Sequence, residues 1–293
     1  MMETSLVDLK RFGGEKLLNQ FPIILFWWIF MSLKELYRYL QWRMDPDDER
    51  AILRFHRIVE AFEKLNEKGL LPKAPRVLDL CAGTGIAGVA MAKATNAKAL
   101  TVLDAREGDL KKVEKWTEIA GLNLKPEIVV GDAREVAKLV GKHDVAILWG
   151  LTMPHFDAFD AVKLFANVAL TLSDDGVFLL EEADRIYGIF YQVGYKDMLV
   201  EAKSDEYTLI SLHEGYDPIR GVFKRTYYKL PGFEKISEQE HRLWDLASQL
   251  ALGSVFFKEY QVISRAEHGV NGVSHIIYLK SPRRKVVEEF LRG

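Results

Sequence analysis

Residues 79–88 read DLCAGTGIAG and follow the apolar run RVL at 76–78. Gly83, Gly85 and Gly88 satisfy G-x-G-x-x-G, the spacing of a dinucleotide-binding turn. A strand that feeds a glycine-rich turn and then a helix leaves free backbone N–H groups and a positive helix end at the carboxyl edge of a sheet. Glycines serve there because a side chain would bar a ligand from the backbone. The turn alone does not name its ligand. Asp79 lies inside the strand, two residues before Cys81. A dinucleotide fingerprint has its first glycine sooner and rarely needs a carboxylate at that point, whereas a carboxylate at that edge suits a ligand carrying an ammonium group.

Outward from this turn, strands and helices alternate, which is the signature of a parallel sheet covered on both faces. Apolar runs predict strands at 76–80, 99–104, 127–130, 144–149 and 177–181, and 3.6-residue periodicity predicts helices near 85–95, 108–120, 133–141 and 156–171. The alternation breaks after Glu181. EYTLISLHEGYDPIRGVFKRTYYKL, residues 206–230, reads as two strands around a Gly/Asp/Pro turn, and a helix near 238–253 and strands near 255–265 and 273–280 close the chain. The expected architecture is α/β: a doubly wound, mostly parallel seven-stranded sheet with an N-terminal helical cap over 1–72. The sheet domain runs over 73–293 and carries an inserted antiparallel hairpin at about 184–237.

The cap contains FPIILFWWIFM at 21–31, well short of the ~20 apolar residues that span a bilayer and without a cleavage site. It reads as a buried cap helix or a dimer contact, with an interfacial membrane anchor and the wall of an apolar substrate pocket as alternatives, so a homodimer through the N-terminal helices is compatible with the run and a transmembrane segment is not expected. Asp45 before Pro46 has the form of a helix N-cap with proline at the first position, and Gly69 of a stop. The formal charge of −2 gives no global attraction to phosphate backbones, so nucleic acid is not an expected partner. The basic stretch SPRRK at 281–285 reads as solvated surface. One cysteine, Cys81, excludes an internal disulfide and fits a cytoplasmic setting, and the abundance of Lys and Glu over Asn, Gln and Cys leans toward heat adaptation.

The second strand ends in Asp104, which suits both hydroxyls of a ribose and is shared by NAD sites; the third ends in GDAR at 131–134, suited to an adenine edge. VLDLCAGTGIAGVA, VLDA, VVGDAR and DVAILWG, in this order and spacing, resemble the class I S-adenosylmethionine-dependent methyltransferases over about residues 73–182. The departure is Cys81 in place of the family's first glycine. The resemblance implies S-adenosylmethionine as cofactor, with Asp79, Gly83 and Gly85 at its methionine end, Asp104 at the ribose, and Asp132 with Ala133 at the adenine. Trp149 and Gly150 would face the reacting methyl, and Cys81, Ala82 and Ala105 complete the implied set. Gly88 reads instead as a close helix–sheet contact.

Beyond the fourth strand, WGLTMPHFDAFD lacks the Asn/Asp-Pro-Pro-Tyr of base and amide methyltransferases, and His155 is the candidate general base. Arg225, Tyr227 and Trp28 are the candidate acceptor contacts, in an aromatic surround that includes Tyr187, Phe190 and Tyr191. No metal is expected, since Glu181, Glu182 and Asp184 read as solvated charges past a strand end. The acceptor implied is a small apolar or aromatic molecule with an O or N nucleophile. A tRNA or protein methyltransferase and an inactive cofactor-binding scaffold are the alternatives.

Overall fold

The computed structural model describes residues 35–40 and 45–292. The chain divides into two compact units: the first comprises Met1–Gln41, Met198–Leu212 and Arg225–Gln239, the second Trp42–Asp197, His213–Lys224 and Glu240–Gly293. Trp28 and the apolar run 21–31, with the dimer contact expected of it, lie outside the described residues.

The second unit is built on helix α1 (Glu49–Glu67), β1 (Arg76–Leu80), α2 (Ile86–Thr95), β2 (Ala99–Asp104), α3 (Val113–Ala120), β3 (Glu127–Val130), β4 (His143–Leu148), α4 (Ala158–Thr171) and β5 (Leu172–Glu182). The sheet is completed after the excursion into the smaller sheet, strands β6 (Met198–Lys203), β7 (Thr208–Asp217), β8 (Val222–Leu230) and β9 (Glu234–His241). Then come α5 (Leu246–Phe256), β10 (Phe257–Ile263), β11 (His275–Pro282) and α6 (Arg284–Arg292). The order of the seven-stranded sheet is β10-β11-β5-β4-β1-β2-β3. β1 to β5 are parallel, and β11 is antiparallel to both β5 and β10. The doubly wound, mostly parallel architecture is therefore as expected. Chain order reverses at β1, which lies between β2 and β4, and ligands of such sheets bind outside the carboxyl ends at that point.

Both sheet faces are apolar because both are covered. Val77, Val145 and Ile147 pack with Phe55, Phe62 and Trp116 under α1 to α3, while Leu78, Leu80, Ala146 and Leu148 pack with Phe165, Phe178 and Phe256 under α4 and α5. Helix α2, IAGVAMAKAT, has nine buried residues in ten, consistent with a helix held between the sheet and α1.

Several boundaries differ from expectation. Asp48, not Asp45, caps α1, its side chain accepting from Arg50 N. The hairpin expected over 206–230 is the middle of a four-stranded sheet, order β6-β7-β8-β9. The helix expected from 238 begins at Leu246, because 234–241 is a strand whose buried positions are the polar Ser237 and Gln239 and so give no apolar signal. The SPRRK stretch is structural as well as basic: Arg283 Nε donates to Phe257 O, just past α5, at 2.9 Å, and Arg284 Nη1 donates to Ala169 O, in the last turn of α4, at 2.8 Å.

In the first unit, Leu36, Leu209 and Tyr227 form a small core with Tyr39, Leu40 and Tyr207, and Tyr207 donates its hydroxyl to Tyr39 O at 2.8 Å.

Candidate nucleoside-binding site

The glycine-rich turn runs through three left-handed residues: Cys81 (φ 52°), Gly83 (φ 56°) and Gly85 (φ 83°). Cys81 thus holds a conformation that favours glycine, at a cost of about 1–2 kcal/mol. A Cβ on Gly85 would lie 2.5 Å from Val113 Cγ2, so glycine there lets α3 close on the turn. Ala82 N donates to Leu103 O at 3.0 Å, and Gly83 N donates to Asp104 Oδ2 at 2.8 Å, which ties the turn to the end of β2.

Asp79 is buried, 1% exposed, and Oδ2 accepts the Gly88 N–H at 2.8 Å. Burial pushes its carboxyl up to about 8, and the neighbouring Asp104 adds to the rise. A Cβ on Gly88 would sit 2.8 Å from Asp79 Cβ and 3.0 Å from Leu100 Cδ1. Gly88 is the close helix–sheet contact its position suggested.

At the end of β2, Asp104 Oδ1 accepts from Arg106 N at 2.9 Å and Arg106 Nε at 3.1 Å. Past β3, Asp132 caps a short turn by accepting from Arg134 N at 2.9 Å, and Arg134 also reaches Asp160 of α4 at 2.7 Å. Ala82 and Ala133 are buried, and Ala105 is half-buried. The Cys81 thiol is pushed up by burial and then by Asp104 and Asp132, so these residues share one edge of the sheet.

Trp149, just past β4, is 6% exposed and packs edge-on against Phe62 at 4.5 Å, and its buried indole N–H has no hydrogen-bond partner among the described residues. Gly150 (φ 86°) and Leu151 (φ 62°) turn the chain away. Glu181 fixes that turn, accepting from Gly150 N at 3.1 Å and from Ser274 N at 2.9 Å. Glu182 accepts from Met153 N at 3.1 Å and pairs with Arg185, while Asp184 accepts from Tyr187 N at 2.8 Å. These three carboxylates are spent on backbone groups and a guanidinium, not solvated as the sequence suggested. His155 is half-buried, its ring 5.5 Å from that of His241. Burial, then Arg106 and Arg185, lowers its pKa to about 4, so the imidazole is neutral at physiological pH.

Arg225 and Tyr227 belong to the first unit. Both are 6% exposed, and Arg225 Nε donates to Ser211 Oγ at 2.8 Å while Nη2 donates to Ser211 O at 3.0 Å. Sequence reasoning missed Arg106, Arg134 and the Glu181 clasp. The first two had a visible signal, Asp-Ala-Arg at the ends of two neighbouring strands.

A doubly wound sheet, a glycine turn and aspartates at the carboxyl edge of β2 and β3 are the architecture of a Rossmann-like fold. Residues 77–176 match the family model described as a methyltransferase domain. The chain is similar in fold to the PH0226 protein of Pyrococcus horikoshii OT3, at 16% identity over 85% of this chain and 99% of that one, with a TM-score of 0.57. It is also similar to an S-adenosylmethionine-dependent methyltransferase of Clostridium acetobutylicum ATCC 824, at 18% identity, 78% and 91% coverage and a TM-score of 0.54. The CcbJ methyltransferase of Streptomyces caelestis aligns at 15% identity, 76% and 89% coverage and a TM-score of 0.54. No curated protein sequence matches. A match to a methyltransferase domain over 77–176 and a fold shared with solved methyltransferases are thus what the chain is similar to.

The residues present fit S-adenosylmethionine, the cofactor the resemblance implies: a glycine-rich turn at the strand ends, strand-end carboxylates for hydroxyl and amino donors, and beside Gly150 a buried indole N–H with no acceptor among the described residues. No helix among the described residues is long and apolar enough to cross a membrane.

Proposed function

We propose that the protein transfers a methyl group from S-adenosylmethionine to an O or N nucleophile of a small, apolar or aromatic molecule. The observation that carries the acceptor class is the segment directly after β5. There Tyr187, Phe190 and Tyr191 are 54, 76 and 80% exposed, and Tyr187 stacks on Tyr191 at 5.2 Å. Exposed rings just past the carboxyl end of β5 offer an apolar surface to an acceptor.

In this reading Asp104 receives the ribose hydroxyls and Asp132 with Ala133 the adenine edge. Asp79, Cys81, Ala82, Gly83, Gly85 and Ala105 shape the rest of the cofactor cradle. The cofactor supplies an electrophilic methyl on a sulfonium sulfur with a thioether as leaving group. Most of the rate then comes from alignment and exclusion of water, which falls to Trp149 and the Gly150–Leu151 turn. His155, neutral at physiological pH, accepts a proton at a ring nitrogen. With a pKa of about 4 it is a weak base, which suits an acceptor whose proton leaves easily or leaves after attack. Arg225, Tyr227 and Trp28 remain the proposed acceptor contacts, and a cytoplasmic setting goes with the reading.

Calorimetric titration with S-adenosylhomocysteine and with NAD is the test. Binding of the first and not the second, weakened by Asp104→Ala, is expected; binding of NAD alone would overturn the reading. Transfer of labelled methyl into the small-molecule fraction of a metabolite extract, and not into RNA or protein, tests the acceptor class.

A further inference from the structure

β2 and β3 end in the same tripeptide, Asp104-Ala105-Arg106 and Asp132-Ala133-Arg134, and in both the arginine folds back on its own aspartate. The two pairs differ in how tightly the guanidinium grips and in how far the carboxylate is buried. A carboxylate offers about four lone-pair positions. Asp132 receives three N–H hydrogens: Arg134 N, Nη2, and one Nε–H shared between its two oxygens at 3.0 and 2.8 Å. Each Asp132 oxygen thus takes two contacts, on a side chain 19% exposed. Asp104 receives four separate hydrogens: Arg106 N at 2.9 Å and Nε at 3.1 Å on Oδ1, Gly83 N at 2.8 Å and Arg106 Nη2 at 3.3 Å on Oδ2. None remains for a hydroxyl, and the Asp104 side chain is only 7% exposed.

The two backbone donors are fixed by the fold, so only the guanidinium can give way. Its grip is the looser of the two, at 3.1 and 3.3 Å, against 2.6 to 3.0 Å for Arg134 on Asp132. Its other nitrogen, Nη1, already lies 2.8 Å from Asp109, a more exposed carboxylate in the next turn.

We propose that Arg106 is a latch on the nucleoside site: its guanidinium and a ribose diol are alternative occupants of Asp104, and ligand binding moves the guanidinium off Asp104 toward Asp109. The proposal rests on the assignment of Asp104 to the ribose. Apparent affinity is then the intrinsic affinity multiplied by the fraction of molecules with the latch open.

Calorimetry with S-adenosylhomocysteine, a zwitterion without net charge, tests this in wild type, Arg106→Met, Arg134→Met and Asp104→Asn. Arg106→Met is expected to bind about tenfold more tightly, the gain from releasing a latch closed in about nine molecules of ten. Arg134→Met is expected to show no gain. Unchanged or weaker binding by a folded Arg106→Met protein overturns the latch. If that variant does not fold, Arg106→Lys, which keeps the charge and loses the fork, must still bind more tightly than wild type or the latch is overturned. Failure of wild type to bind, or wild-type affinity in Asp104→Asn, would instead remove the nucleoside assignment.

Discussion

Gly88→Ala tests the contact that seats the first turns of α2 on β1. The added methyl would stand 2.8 Å from both Asp79 Cβ and Oδ2 and 3.0 Å from Leu100 Cδ1, distances at which the neighbours must move. None of the three is the free end of a flexible chain, since Asp79 and Leu100 are 1% exposed. Overpacking of this kind costs about 1–3 kcal/mol. Lifting the helix also lengthens the buried Gly88 N–H bond to Asp79, worth about 1–3 kcal/mol when its partners are left unsatisfied. Against this, alanine is the better helix former by about 1 kcal/mol. The net expectation is a loss of about 1–5 kcal/mol, read from urea unfolding. Gly108→Ala is the internal control, because its Cβ would meet nothing within 4 Å, and it should be neutral or slightly stabilising. Gly88→Ala as stable as Gly108→Ala would refute the argument.

Asp79 holds a proton in the folded chain that the unfolded chain releases near pH 4, so its contribution to stability falls as pH rises from about 4 to about 8. Asp79→Asn keeps an acceptor for Gly88 N–H and should remove that slope, of at most about 1.4 kcal/mol per pH unit, in unfolding curves at pH 5, 7 and 9. His155 has the opposite sign: its folded pKa of about 4 lies below the unfolded value, so its stabilising share is lost as pH falls from about 6.5 through 4. His155→Asn should flatten the melting temperature over that window. Cys81→Gly relieves a left-handed φ of 52° and should change stability by less than about 1 kcal/mol, the relief offsetting the lost side-chain packing; calorimetric melting measures it. Glu181→Gln turns one acceptor oxygen into a donor facing Gly150 N or Ser274 N and should cost about 1–3 kcal/mol in thermal or chemical unfolding.

The sheet was legible because its strands are short apolar runs separated by helices of clear period, and β1, β2 and β3 begin and end where the pattern places them. The smaller sheet was half legible. β7 and β8 carry Leu209, Ile210, Val222 and Tyr227 at buried positions, but β9 buries Ser237 and Gln239, and hydrophobic patterning is blind to such a strand. α6 was missed because SPRRK reads as surface charge, although its arginines satisfy carbonyls left by α4 and α5. In the site, residue types identified the strand-end aspartates but not their local partners. Those depend on which backbone N–H faces each carboxylate, and no spacing rule encodes that.

The carboxylates at the carboxyl edge have a common first task. Asp79 takes Gly88 N, Asp104 takes Gly83 N, Asp132 takes Arg134 N, Glu181 takes Gly150 N and Glu182 takes Met153 N. Each N–H belongs to a turn or helix start that would otherwise carry an orphan donor beside a largely buried strand end. A neutral acceptor would satisfy the same donor, but a carboxylate offers further lone pairs, and charge strengthens the bond it makes. The edge is thus stiffened by the groups available to a ligand, and what a ligand can claim is the remainder. At Asp79 that remainder is small, since the group is buried and protonated below about pH 8. At Asp132 all of the contacts come from Arg134, two on each oxygen. At Asp104 the remainder depends on where Arg106 lies, so the conformation of one arginine sets the access of a diol to the site.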